Sequence, residues 1–450
     1  MNSRRLTRHL LLLALPAVVA VAAVGEWVLR ANAGSSPADT TRPSSAGDTA
    51  PSAALLQRGE YVAKAADCAG CHTAPDGGAP YAGGLGMGSP FGTIVSSNIT
   101  PDPRYGIGRY DLGDFERAIR HGIAPGGTPL YPAMPYPEFS KMSDEDLRAL
   151  YAFLMHGVAP VAKPNAPSDV AFPFNQRWAL RFWQAVFMPK PFRAHPDRDE
   201  QWNRGAYLVQ SLGHCGACHT PRGFGYQERG YDESSPRYLT GGINDNWFAP
   251  NLTGEAGSGL GRLGEADIAR FLKTGHAAGS IAYGSMVEQI EDSTQYMSDE
   301  DLQAIAHYLK SLPARQQSGS YDPDNQTAQA QTNGNRLRDP QSVGFNVYRS
   351  FCARCHGEDG KGIPNVFPAL AGNPSVLAKD TTSLIRLLVE GGSSSATKSG
   401  PPRQRMPGFA GTLVDAQIGQ VLTYVRSAWG NDAQPISGND VNSLRQTLHK

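Results

Sequence analysis

Three copies of one pattern carry the chemistry of this chain: Cys68-Ala-Gly-Cys71-His72, Cys215-Gly-Ala-Cys218-His219 and Cys352-Ala-Arg-Cys355-His356. They use all six cysteines, so none remains for another purpose. Two thiols three positions apart lie on one helical turn and can add to both vinyl groups of a haem, while the adjacent imidazole ligates the iron. A structural zinc needs four ligands per metal and gives no reason for a His after the second Cys in every copy. A disulfide framework gives no reason for it either. The pattern predicts three covalently bound c-type haems.

A second axial ligand is expected from a loop before the closing helix of each unit, where a Met thioether raises the potential and leaves no open coordination position. Met134 in Tyr131-Pro-Ala-Met-Pro135, Met286 in Gly284-Ser-Met286 and Met406 in Arg405-Met-Pro407 lie in that order. Met142 and Met297, at equivalent repeat positions, are the alternatives; each directly precedes a helix cap, where an apolar residue packs on its own helix. Met286 lacks the Pro that follows Met134 and Met406. His121, His156, His214, His276 and His307 are scattered singly and read as ordinary surface or half-buried residues.

The elements that must hold these groups recur. Arg58-Gly-Glu-Tyr61, Asn98-Ile-Thr100, Gly106-Ile-Gly-Arg109 and Met142-Ser-Asp-Glu-Asp-Leu147 around the first motif return, in order, as Arg204-Gly-Ala-Tyr207, Asn251-Leu-Thr253, Gly259-Leu-Gly-Arg262 and Met297-Ser-Asp-Glu-Asp-Leu302. The third unit keeps the Cys motif and drops the signals between, which makes it a more distant copy of one duplicated domain. The closing helices start at Ser143 and Ser298, with Asp146 and Asp301 three positions on as in a capping box. Their apolar stripes are Leu147, Leu150, Leu154 and Leu302, Ile305, Leu309; the third helix has Asp415 as cap and Ile418, Val421, Leu422, Val425 as stripe. Period-two alternation is scarce, so the expected fold is all-α with long loops and little or no sheet. Gly259-Leu-Gly-Arg-Leu-Gly264 matches a dinucleotide fingerprint, but no strand precedes it, and the two Asn-x-Thr triplets read as turns beside the haem rather than as glycosylation sites.

The 450 residues carry Lys+Arg 41 against Asp+Glu 41, so no global field draws nucleic acid. Three arginines before the apolar run Leu10–Val24 and an Ala31-Asn32-Ala33 ending mark an export signal; left uncut, the run could almost span a bilayer as an anchor. The divisions are 1–33 signal peptide or N-terminal anchor, 34–54 flexible leader, 55–159 first domain, 160–198 linker, 199–314 second domain, 315–340 linker, 341–430 third domain and 431–450 C-terminal tail. The body lies outside the cytoplasm on this reading.

From about Gln57 to Trp429 the chain resembles the triheme cytochrome c subunit of bacterial membrane-bound dehydrogenases, such as those oxidising alcohols, gluconate or sorbitol. The most specific stretches are residues 90–102, Leu130-Tyr-Pro-Ala-Met-Pro-Tyr-Pro137, residues 213–222 and Ser293-Thr-Gln-Tyr296. The resemblance implies three tandem class I cytochrome c domains, with Met134, Met286 and Met406 at the ligand positions. It implies an electron-transfer subunit, not catalytic alone, on the periplasmic side of the inner membrane. Electrons would come from a flavin or quinoprotein catalytic subunit and pass to ubiquinone or a downstream cytochrome or oxidase. Two other readings stand beside it: a catalytic multihaem oxidoreductase with one open haem site, and a free periplasmic carrier.

Overall fold

Each repeat closes by laying its first helix across its last. In the first, α1 (Ala53–Ala65) is followed by the short motif helix α2 (Cys68–Cys71), then α3 (Leu112–His121), α4 (Tyr136–Phe139) and α5 (Asp144–His156). After α6 (Leu180–Phe187) the second repeat runs through α7 (Glu200–Tyr207), the motif helix α8 (Gly216–His219), α9 (Glu265–Thr274), α10 (Ser285–Glu288) and α11 (Asp299–Ser311). The third has α12 (Gln341–Phe351), the motif helix α13 (Ala353–His356), α14 (Pro374–Leu377), α15 (Thr382–Glu390) and α16 (Asp415–Ser427), and α17 (Gly438–Leu448) follows it in the C-terminal tail. This computed structural model describes residues 50–75, 77–325 and 341–448. The export segment, most of the leader and residues 326–340 of the second linker lie outside the described residues.

The crossing points are glycines. A Cβ on Gly59 would lie well inside contact distance of the Ala149 carbonyl oxygen, one on Gly205 inside that of Ala304, and one on Gly344 inside that of Gln420. Backbones this close leave no room for a side chain. The predicted stripes are buried below the crossings: Leu147, Leu150 and Leu154; Leu302, Ile305 and Leu309; Ile418, Val421, Leu422 and Val425. One continuous apolar cluster runs through the first two repeats, while the third has its own around Tyr348, Val421 and Trp429.

Ser143 and Ser298 cap as expected, each hydroxyl accepting from the backbone N–H three residues on at 3.1 Å. Asp146 and Asp301 do not complete a capping box. Asp146 accepts from Arg58 Nε of its own repeat at 3.0 Å and from Tyr207 Oη of the other repeat at 2.6 Å. Asp301 accepts from Arg204 Nε at 2.7 Å and from Tyr61 Oη at 2.5 Å. The same two hydroxyls accept from the cap residues' own N–H groups, Ser143 to Tyr207 at 3.1 Å and Ser298 to Tyr61 at 3.2 Å. A charged guanidinium plus a phenol offers the buried carboxylate more than one backbone N–H can, and the exchange locks the first two repeats reciprocally. Asp415 is not the cap of α16 either: Val414 precedes the helix, its N–H donates to Gln417 Oε1 at 3.1 Å, and Asp415 pairs with Arg445 of α17 at 2.8 Å.

The sheet is confined to short antiparallel pieces. One has three strands, β1 (Gly86–Ser89), β2 (Gly92–Val95) and β3 (Asp169–Val170). Of the two-stranded pieces, β4 (Gly242–Asn244) and β5 (Trp247–Ala249) form a hairpin, as do β6 (His276–Ala277) and β7 (Ser280–Ile281). A third pairs β8 (Ser320–Tyr321) with β11 (Asn431–Asp432), and a fourth pairs β9 (Gly391–Ser393) with β10 (Arg405–Pro407). Helices do the positioning. The β4–β5 hairpin docks on α15 of the third repeat: Phe248 N donates to Ser383 Oγ at 2.8 Å, and the Arg386 guanidinium lies 4.2 Å over the Trp247 ring.

Candidate haem-binding sites

The three motifs are built alike. A non-glycine residue with positive φ, Asp67 at 49° or His214 at 36°, turns the chain before the first Cys of the first two motifs. The motif helix then carries the thiols on one turn, and the imidazole follows at its end. All six thiols are unpaired and half-buried. Burial pushes the Cys68, Cys71, Cys215 and Cys352 thiols up to about 12, and Cys218 upward as well. Burial thus favours the neutral thiol at these five positions.

Each motif imidazole is held by one backbone carbonyl. His72 Nδ1 lies 2.6 Å from Ser97 O, His219 Nδ1 2.7 Å from Pro250 O, and His356 Nδ1 3.0 Å from Pro368 O. A carbonyl only accepts, so Nδ1 carries the proton and Nε2 presents its lone pair. Burial holds all three His below the ordinary imidazole range, which keeps them in the neutral, ligating form. A fixed tautomer with the free nitrogen aimed away from its anchor is how an axial imidazole is oriented toward iron. The residues present fit a haem: paired thiols on one turn, with an oriented Nε2 beside them.

In the first two repeats an Asn-x-Thr triplet directly follows the carbonyl residue. Asn98 follows Ser97, and its Oδ1 accepts from Thr100 N at 2.9 Å while its Nδ2 donates to Val161 O at 2.8 Å. Asn251 follows Pro250 and does the same for Thr253 N at 2.9 Å and Arg315 O at 2.7 Å. Both Asn and both Thr side chains are buried, so these are turns that aim a carbonyl at the imidazole. The anchoring carbonyls have no side-chain signature; the readable signal is the turn that follows them in the first two repeats.

Of the proposed sixth ligands, Met134 is half-buried against the shared core before α4, Met286 is the second residue of α10, and Met406 lies in β10 against the third core. Met142 and Met297 sit inside the shared core as N-terminal neighbours of the Ser caps, with their carbonyls accepting from Arg120 at 2.7 Å and Lys273 at 2.9 Å. His276 differs from its reading as a surface or half-buried residue. It is 1% exposed, because the third repeat folds over the β6–β7 hairpin through Ala369 N to Gly279 O at 2.8 Å. Its Nδ1 lies 3.0 Å from Thr274 O.

The first two sites adjoin. After burial itself, Asp67 and then Cys218 are the strongest influences raising the Cys71 thiol, which puts the second cysteines of two motifs within electrostatic reach. Between them lie acids that sequence reading missed, because single carboxylates carry no spacing signal. Glu138 and Glu228 are buried, with Arg222 3.8 Å from Glu228, and burial and then the neighbouring Glu138 raise Glu228 well above the carboxylate range. Lys141 donates to Gln210 Oε1 at 3.0 Å and to Tyr231 O in the same region, and burial lowers it.

The shift of Glu228 sets a pH dependence. The folded state holds this proton more tightly than the unfolded chain, so its contribution is full below the ordinary value of 4.5 and is lost as pH rises through the folded value. Thermal melting followed at fixed ionic strength should fall as pH rises above 4.5 toward the folded value, and Glu228→Gln should flatten that limb. Parallel pH curves for the two proteins would refute the assignment.

Known proteins place the chain. The cytochrome c family matches residues 56–157, 203–313 and 342–429. The chain is 48% identical to the cytochrome c subunit of a quinone alcohol dehydrogenase from Gluconacetobacter polyoxogenes over 88% of this chain and 85% of that protein. It is 44% identical to the gluconate 2-dehydrogenase cytochrome c subunit of Pantoea cypripedii over 87% and 90%, and 38% identical to the fructose dehydrogenase cytochrome subunit of Gluconobacter japonicus over 91% and 85%. Three family segments, each with one motif, correspond to three covalently bound haem c groups and to a role in electron transfer. The chain belongs to the cytochrome c family, within the three-segment cytochrome c subunits of bacterial dehydrogenases.

Proposed function

We propose that this chain relays electrons from a flavin or quinoprotein dehydrogenase subunit to ubiquinone, or to a downstream cytochrome or oxidase, on the periplasmic side of the inner membrane. The observation that carries this reading is the triple presentation of an oriented Nε2 beside two thiols. On this reading Cys68 and Cys71, Cys215 and Cys218, and Cys352 and Cys355 bear the thioether links. His72, His219 and His356, with Met134, Met286 and Met406, would hold the three iron atoms. Haem c supplies one-electron exchange at a potential that its axial ligands and surroundings tune. The protein's own contribution is to fix each imidazole through a carbonyl, to exclude water with the shared core, and to hold neighbouring sites together through the Tyr61 and Tyr207 exchange. The relatives described above are cytochrome subunits of dehydrogenases, which supports the partner class.

The test uses the exported, haem-loaded chain. Its mass should show three haem additions, and alcohols, sugar acids or aldehydes alone should leave the haems oxidised. Adding a cognate dehydrogenase with its substrate should reduce them, and a quinone analogue should reoxidise them. Met134→Ala, Met286→Ala and Met406→Ala should each remove the far-red thioether-to-iron band of one haem. Reduction by a small organic substrate without a partner would sink the relay.

A further inference from the structure

The segment between the first two repeats breaks the usual rule for a surface helix. Helix α6 turns its polar groups inward. Arg181 Nη2 donates to Gly127 O at 2.6 Å, Gln184 Nε2 to His121 O and Gly122 O at 3.0 and 3.1 Å, and Trp183 Nε1 to Gly225 O at 2.8 Å. These four bonds leave the opposite face outward, and it carries Phe182 and Val186, 44% and 70% exposed, with Trp178 of the 3-10 turn just before the helix 63% exposed. Phe172 and Phe174 project just before it at 78% and 50%, and Phe224 stands at 96% on a loop tip against Phe187, ring centroids 5.6 Å apart. Six of the eleven exposed large hydrophobic side chains among the described residues gather here.

Charge says what covers them. From Ala171 to Ala194 the chain has Arg177, Lys190 and Arg193 besides the inward-bonded Arg181, and no carboxylate, in a protein whose totals are 41 and 41. The surface is therefore apolar prongs interleaved with uncompensated positive charge. Rings at the acyl boundary with guanidinium and ammonium groups among anionic headgroups satisfy both features together. Among the described residues no helix is long and apolar enough to cross a membrane, so contact made by these residues is made at its surface.

We propose that α6 and its flanks, with Phe224, form an interfacial membrane-binding surface that inserts aromatic side chains into a bilayer containing anionic lipid. This rests on the reading of the chain as a membrane-side electron relay and gives that reading its contact residues. It places the joint between the first two haem sites, rather than the third, against the lipid.

The haem-loaded exported chain is sedimented with vesicles of phosphatidylcholine alone or mixed with phosphatidylglycerol. Binding should rise with phosphatidylglycerol and fall with salt. Trp178→Ser/Phe182→Ser/Val186→Ser should weaken vesicle partition about a hundredfold, Phe224→Ser about fivefold or more, and Arg177→Gln about fivefold on the anionic vesicles only. Phe224 lies at a loop tip, so that variant reports even if the triple variant misfolds, and the three-haem spectrum and melting temperature check each fold. Unchanged vesicle binding in the Phe224 and triple variants overturns the proposal. It is also overturned if the triple variant binds vesicles normally but loses reduction by the dehydrogenase in detergent, which would make the patch a protein-docking face. A wild-type chain that binds vesicles yet accepts electrons from no dehydrogenase would instead defeat the relay reading and leave the surface standing.

Discussion

Gly205→Val should stop the second repeat from closing, with a loss of at least about 3 kcal/mol in stability. Even a Cβ at this position would run into the Ala304 carbonyl oxygen, and the next nearest atoms are the Ala304 carbonyl carbon and Tyr308 Cβ, none of which can swing aside. The helices α7 and α11 would have to separate, and Arg204 would lose its paired bonds to Asp301 at 2.7 and 2.6 Å. Asp301 also receives the Tyr61 hydroxyl of the first repeat, so the defect crosses the reciprocal lock. Melting followed separately at the haems should therefore show the first two repeats failing together, and the third, with its own core, holding out longer. Gly411→Val is the control, since a Cβ there meets nothing within 4 Å, and it should stay within about 0.5 kcal/mol of wild type. A Gly205 variant as stable as that control would falsify the crossing argument.

What the sequence made legible was whatever repeats at a spacing set by backbone geometry. The cysteine pairs, the following His, the Ser caps and the apolar stripes recur at helical intervals, and the structure buries the stripes and bonds the caps as those intervals require. Long-range partners were illegible. Asp146 and Asp301 look like capping-box acids locally, and only tertiary placement of Arg58, Tyr207, Arg204 and Tyr61 converts them into a lock between repeats. The same holds for the carbonyls of Ser97, Pro250 and Pro368, because any residue has one. The glycines were read as repeat markers without their reason, since close approach of two backbones is a property of the pair of helices. Segment 160–198, read as a linker from its polar start, contains α6, whose hydrogen bonds run from polar side chains to loops far away in sequence.

Removing the middle haem should abolish throughput while leaving the chain folded. The second motif is linked to both neighbouring repeats: its Cys218 is within electrostatic reach of Cys71, and Asn244 of β4 donates to Cys218 Sγ at 3.5 Å while the same hairpin holds α15 of the third repeat through Phe248 and Ser383. Electron transfer weakens steeply with separation, so a relay that uses the second site as the step between the other two stops when that site is empty. Cys215→Ala/Cys218→Ala should lower the haem count from three to two by mass. Dehydrogenase-driven reduction should then stop at whichever outer haem receives the electron, and quinone-analogue turnover should fall to background. His219→Ala alone should keep the covalent attachment but shift that haem's spectrum and potential, since the Pro250 carbonyl would lose the imidazole it orients. Undiminished turnover in the two-haem variant, at normal melting temperature, would mean that electrons enter and leave without crossing the second repeat, and the serial order drawn from the contacts would fall.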